Sequence, residues 1–152
     1  PLSQGCSYWL KVRDIGSGLS ECYGVKNKNK IGSEMEAWQA FCWANGYKPR
    51  FIKTDAGSVE TSQGFKLEMA KLGMTVHNTP DGEPQKDAER DVQTTLNDLT
   101  AMLQHEDTMR AVDWLSGIKI ATKIRQRVSN AASKEVHPTK SPWEIFTGEK
   151  VD

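Results

Sequence analysis

Between Ser33 and Asp55 the chain sets out a cap, a helical stripe and a short apolar segment, an order that restricts the fold more than any other stretch. Met35, Trp38, Phe41 and Cys42 fall on one helical face. Ser33 stands where a cap belongs, Glu34 and Glu36 follow where the helix dipole favours acids, and Gly46 closes the run. Phe51 and Ile52 then read as a strand that finishes at Asp55, ahead of a Gly57-Ser58 turn. A strand before such a helix and another after it form a right-handed crossover, the unit of an α/β sheet.

The strand before the helix belongs to a hairpin. Tyr8, Leu10, Val12 and Asp14 alternate on one face, Gly16-Ser17-Gly18 marks a turn, and Leu19 to Val25 alternates again. Beyond Asp55, Thr61 or Ser62 caps a shorter helix with Phe65, Met69 and Leu72, closed by Gly73, and Met74 to His77 reads as a strand. Residues 78–87 hold the strongest breakers and predict a mobile loop. Ala88, Val92, Leu96, Leu99 and Leu103 keep helical spacing, with Asp87 as the cap. A second long helix is expected from Met109 to Val128, and Pro142 to Phe146 reads as a capped turn pinning the tail. Trp38 and Trp43 on this helix belong to the core or to an interface, and the core is the favoured reading because large aromatics are usually buried.

The 152 residues fit one domain, 1–152, and the missing initiator Met suggests a piece of a longer polyprotein. Twenty basic and twenty acidic residues cancel, so binding of a polyanion has to rest on a local patch. Residues 116–140 carry six Lys and Arg against Glu135 alone, a run that a solvated face explains equally well. Cys6, Cys22 and Cys42 lack CxxC spacing, which speaks against a zinc site or a disulfide framework and for a reducing compartment. No apolar run is long enough to span a membrane.

Three acids stand out by position. Asp14 ends the first strand, Asp55 ends the strand after the crossover, and Glu89 opens the long helix. Ligands and chemistry in open α/β sheets gather beyond the carboxyl ends of strands. Carboxylates brought together there repel unless protonated or neutralised by a cation, and hard oxygen ligands suit Mg²⁺ or Mn²⁺. An ordinary turn aspartate is the plain alternative at each strand end.

Phe51 to Ser62, Leu72-Gly73-Met74, Pro84-Gln85 and Ala88-Glu89-Arg90 resemble the catalytic core of a retroelement integrase. Thr94-Thr95-Leu96, Ala101-Met102-Leu103, Trp114 and the closing Ser141 to Gly148 are most similar to Copia-type retrotransposon integrases. The resemblance implies an RNase H-like α/β fold, a mixed five-stranded sheet flanked by helices, with long C-terminal helices. It implies a metal triad of Asp14, Asp55 and Glu89 holding two Mg²⁺ or Mn²⁺ ions. The implied activity is processing of the element's DNA ends and joining of their 3′ hydroxyls to target DNA, by a homodimer or higher oligomer within a retroelement complex in nucleus or cytoplasm. Lys86, Arg90, Lys119 and Lys123 are the candidate DNA contacts. Ala56 replaces the family's Asn, the Gln-Asn-Gly before the third acid is missing, and the spacing from Asp55 to Glu89 is two residues short of the family's. Asp87 or Asp91 therefore stands as an alternative to Glu89.

Overall fold

A computed structural model describes residues 4–27, 31–54, 62–79, 86–105 and 113–151, with backbone alone at Lys86, Asp87, His105, Ala131 and Ala132. The expected hairpin is present. Strand β1 (Tyr8–Arg13) pairs antiparallel with β2 (Ser20–Val25), Tyr8 opposite Val25 and Arg13 opposite Ser20. Its turn closes through Asp14 N to Leu19 O at 2.8 Å and Gly18 N to Asp14 O at 3.0 Å.

Helix α1 (Gly32–Ala44) buries Met35, Trp38, Gln39 and Cys42. Ser33 lies inside its first turn and donates to Glu34 at 2.9 Å, while Ile31 holds the cap position, so the expected serine cap is not formed. Trp38 is buried as expected, but Trp43 is 57% exposed because it falls outside the helix's buried stripe.

Strand β3 (Phe51–Thr54), helix α2 (Gln63–Lys71) and strand β4 (Thr75–Asn78) follow, and Ser62 caps α2 by accepting from Phe65 N at 3.2 Å. β3 and β4 pair in parallel, Phe51 opposite Thr75. The bonded crossover is therefore β3–α2–β4 rather than the expected unit around α1. Two two-stranded sheets, β1–β2 and β3–β4, replace the expected five-stranded sheet among the described residues. No backbone ladder joins β1 to β3 there, so the two pairs meet only through side chains.

What unites them is one apolar layer. Leu10 and Val12 of β1 and Ile52 and Val76 of the second sheet pack against a core that includes Met35, Trp38, Phe65, Met69 and Phe146. Side chains alternate across a strand, so Trp9 and Cys22 face the other way. They meet Leu99 and Ile118 of α3 (Lys86–His105) and α4 (Trp114–Gln126). The hairpin is thus covered on both sides. Gly24 in β2 makes that closeness possible, since a Cβ there runs into Leu115 of α4 and stands 2.9 Å from Cys6 Sγ.

Helix α3 starts at Lys86, so Asp87 is its second residue and not its cap. Its stripe also shifts, with Thr95 and Leu99 buried and Ala88 exposed. The start expected for α4 at Met109 lies outside the described residues, as does most of the expected 78–87 loop. Short helix α5 (Ala131–Val136) precedes α6 (Pro142–Thr147), whose capping box joins Ser141 and Glu144 and whose end turns at Gly148, φ 77. Phe146 anchors it, stacked on Tyr47 at 4.6 Å and Phe41 at 5.5 Å between ring centroids. The tail is pinned as the sequence predicts.

Candidate active site

Helix α3 is fastened to β1 by a single lysine. Lys11 is 7% exposed at its side chain, and its ammonium meets Asp91 Oδ2 at 2.9 Å, Asp91 O at 3.1 Å and Thr95 Oγ1 at 2.6 Å. An ammonium has three donors, and α3 takes all of them. Ser20 Oγ adds a bond to Asp91 Oδ2 at 2.8 Å. Asp91, weighed as an alternative ligand, is thus a structural partner of the hairpin. Glu89, two residues earlier, is exposed in the first turn of α3 and its carboxylate has no partner among the described residues.

Asp14 has work of its own. Its Oδ2 accepts from Ser17 N and from Ser17 Oγ, both at 2.7 Å, which holds the β1–β2 turn in shape. This is the local bonding that makes aspartate common in turns. Asp14 also stands near α1, where burial first and its negative charge second push the Cys42 thiol up from 9.0 to about 12. Asp55, next after β3, lies outside the described residues, as does the side chain of Asp87. Among the described residues no group of three His, Cys, Asp or Glu is placed to hold a metal ion.

The expected DNA contacts separate. Arg90 is exposed and lines a polar groove of about 190 Å³. Lys119 is exposed on α4. Lys123 pairs with Glu21 at 2.5 Å and lies 5.7 Å from the Trp143 ring centroid, so its charge is partly engaged. The side chain of Lys86 is not described. The groove at Arg90 gathers Lys11 and Arg13, which stand outside the basic run of 116–140, with Arg125 from that run, beside Gln126 and Asn130. Lys11 and Arg13 sit two apart on β1 and so share a face, a signal that period-two reading makes available. Arg125 is held by Asp98 through bonds of 2.6 and 2.8 Å, which raise its pKa. Gln126 is buried, with its Oε1 unpartnered among the described residues.

No protein-family description and no curated protein matches this chain. Solved structures do. A chain of the simian T-cell lymphotropic virus intasome, in complex with the PP2A regulatory subunit B56 gamma, superposes with TM-score 0.69 at 18% identity over 95% of this chain. The catalytic core domain of BIV integrase gives 0.62 at 15% identity over 91%. The HTLV-2 integrase catalytic core, solved in complex with magnesium in a trimeric form, gives 0.62 at 18% over 91%. The fold is that of a retroviral integrase core, an RNase H-like α/β fold. The chain spans 49% of the intasome chain, but 84% and 92% of the two isolated cores. No helix among the described residues is long and apolar enough to cross a membrane.

Proposed function

We propose that the chain is the catalytic core of a Copia-type retroelement integrase, a polynucleotidyl transferase that processes the element's DNA ends and joins them to target DNA. The observation that carries the proposal is the integrase-core fold over at least 91% of the chain, with Glu89 displayed at the start of the helix that Lys11 fastens. Asp55 and Glu89 are the proposed metal ligands. Asp14 joins them only where β1 lies directly beside β3, and it brings one carboxylate oxygen already engaged by Ser17. Their hard oxygens suit Mg²⁺ or Mn²⁺. Two such ions, when bound, stabilise the attacking and leaving oxygens of a phosphoryl displacement. The protein's own contribution is to position the acids and to receive the DNA backbone. Arg13, Arg90 and exposed Lys119 are proposed for that, in a homodimer or higher assembly acting in nucleus or cytoplasm.

A second reading is a scaffold of this fold that binds DNA without chemistry. It is favoured by the structural engagement of Asp14 and Asp91. Incubation with Mn²⁺ and a labelled duplex carrying a model element end separates the two. The proposal expects strand-transfer products from the wild type and none from Asp55→Asn or Glu89→Gln. Products that are cut but never inserted indicate a nuclease, and DNA binding with no product from any form supports the scaffold.

A further inference from the structure

Helix α4 buries one side and leaves the other bare. Leu115, Ile118, Thr122 and Gln126 recur every three or four residues and are buried where the helix meets β2 and α3. At 3.6 residues per turn, Ile120 and Ile124 come round to the opposite side. They are 45% and 57% exposed. Arg127 still has αR geometry, so Val128, 59% exposed, follows one turn further on. A single apolar side chain in water is ordinary. Three spaced by four residues form one stripe, roughly 12 Å long at 1.5 Å per residue.

The charges beside this stripe have one sign. Every charged residue from Trp114 to Arg127 is a cation: Lys119, Lys123, Arg125 and Arg127. Asp98 of α3 holds Arg125. Lys123 and Arg127 border the stripe and lie over the Trp143 ring, 5.7 and 5.3 Å from its centroid. Such contacts steady a long side chain without cancelling its charge. Lys123 also meets Glu21, whereas Lys119 and Arg127 have no carboxylate partner among the described residues.

Stripe and charges together select the occupant. DNA satisfies the cations but sets charged phosphates against the isoleucines. A second copy of this chain satisfies the isoleucines, but its α4 brings more cations and no carboxylate, and like charges across an interface weaken it. A helix with acids beside an apolar stripe satisfies both, because rows of residues four apart interdigitate between packed helices. We propose that the outer face of α4, centred on Ile120 and Ile124, docks an amphipathic helix of a partner protein whose apolar stripe is flanked by Asp and Glu. The proposal rests on this surface alone and is independent of the metal chemistry.

The probe is a fluorescein-labelled peptide of about 18 residues, long enough for helix formation, with Leu at helical spacing and Glu elsewhere. Its binding to the full chain is read by fluorescence anisotropy. Saturable binding is expected, weakened roughly tenfold or more by Ile124→Ser and by Arg127→Glu, the loss usual for a residue central to an interface. Both side chains are exposed, and unchanged melting temperatures show that each variant is folded. A peptide with Lys for Glu, and one with the Leu positions scrambled, should bind neither the wild type nor the variants to a comparable degree. Equal binding of the Glu and Lys peptides, unchanged binding to Ile124→Ser, or no binding at all overturns the proposal. So does a dimer in sedimentation that Ile124→Ser dissociates, which assigns the face to a second copy. Duplex DNA binding that Ile124→Ser abolishes would assign it to nucleic acid and overturn the proposal equally.

Discussion

Replacing Lys11 with Met removes one charge from a pair that water barely reaches. The Lys11 side chain is 7% exposed and that of Asp91 20%, and the three bonds of Lys11 span 2.6 to 3.1 Å. Loss of one partner of a buried pair leaves the other charge uncompensated, which costs about 3–5 kcal/mol, whereas an exposed pair contributes about 0–1 kcal/mol. Among the described residues Asp91 then keeps only the Ser20 hydroxyl as a side-chain donor, so Lys11→Met belongs in the first class. For a chain of this size each kcal/mol shifts the melting temperature by about 2–4 °C, giving a fall on the order of 10 °C. Urea unfolding followed by circular dichroism, with Asp91→Asn and the double variant closing a cycle, measures the coupling directly. Exchanging both partners for apolar residues should recover most of the loss, since the desolvation cost disappears with the charges. A loss under about 1 kcal/mol for Lys11→Met would refute the view that this lysine fastens α3, and with it Glu89, to the hairpin.

Other outcomes follow from the same packing. Gly24→Ala puts a methyl against Leu115 and Cys6, and overpacking of this kind costs about 1–3 kcal/mol, read as a lower urea midpoint at unchanged slope. Burial pushes the Cys22 thiol up from 9.0 to about 11 and that of Cys42 up to about 12. Because the folded values are the higher ones, this stability is complete below pH 9 and is lost as pH rises from about 9 towards 11 and 12. Each thiol contributes a slope of about 1.4 kcal/mol per pH unit in that window. Cys22→Ala should flatten the wild-type curve by that amount, and an identical curve would contradict the burial argument.

Legibility in the sequence followed how local the physics was. The hairpin, α2 with its Ser62 cap, and the Ser141–Glu144 box are all readable, because each rests on neighbours close in sequence. Trp43 is exposed because position on the helix outweighs aromatic size; it lies one residue beyond the buried Cys42. Strand–helix–strand order is the same around α1 and α2, and only the hydrogen bonding shows that the crossover is built on α2. Nothing in a linear sequence shows that Lys11, eighty residues away, reaches Asp91 and engages it. The acids divide in the same way: Glu89 is exposed at the entrance of α3, while Asp14 turned out to be bonded within its own turn.

The central claim is that Asp55 and Glu89 share a cation on an integrase-type fold. Titration of Mn²⁺ into the folded protein, with free ion counted by electron paramagnetic resonance, tests it without relying on turnover. The account predicts that Mn²⁺ bound by the wild type, competed by Mg²⁺, is lost in both Asp55→Asn and Glu89→Gln while Asp91→Asn keeps it. Equal Mn²⁺ binding by the wild type and the first two variants would contradict it.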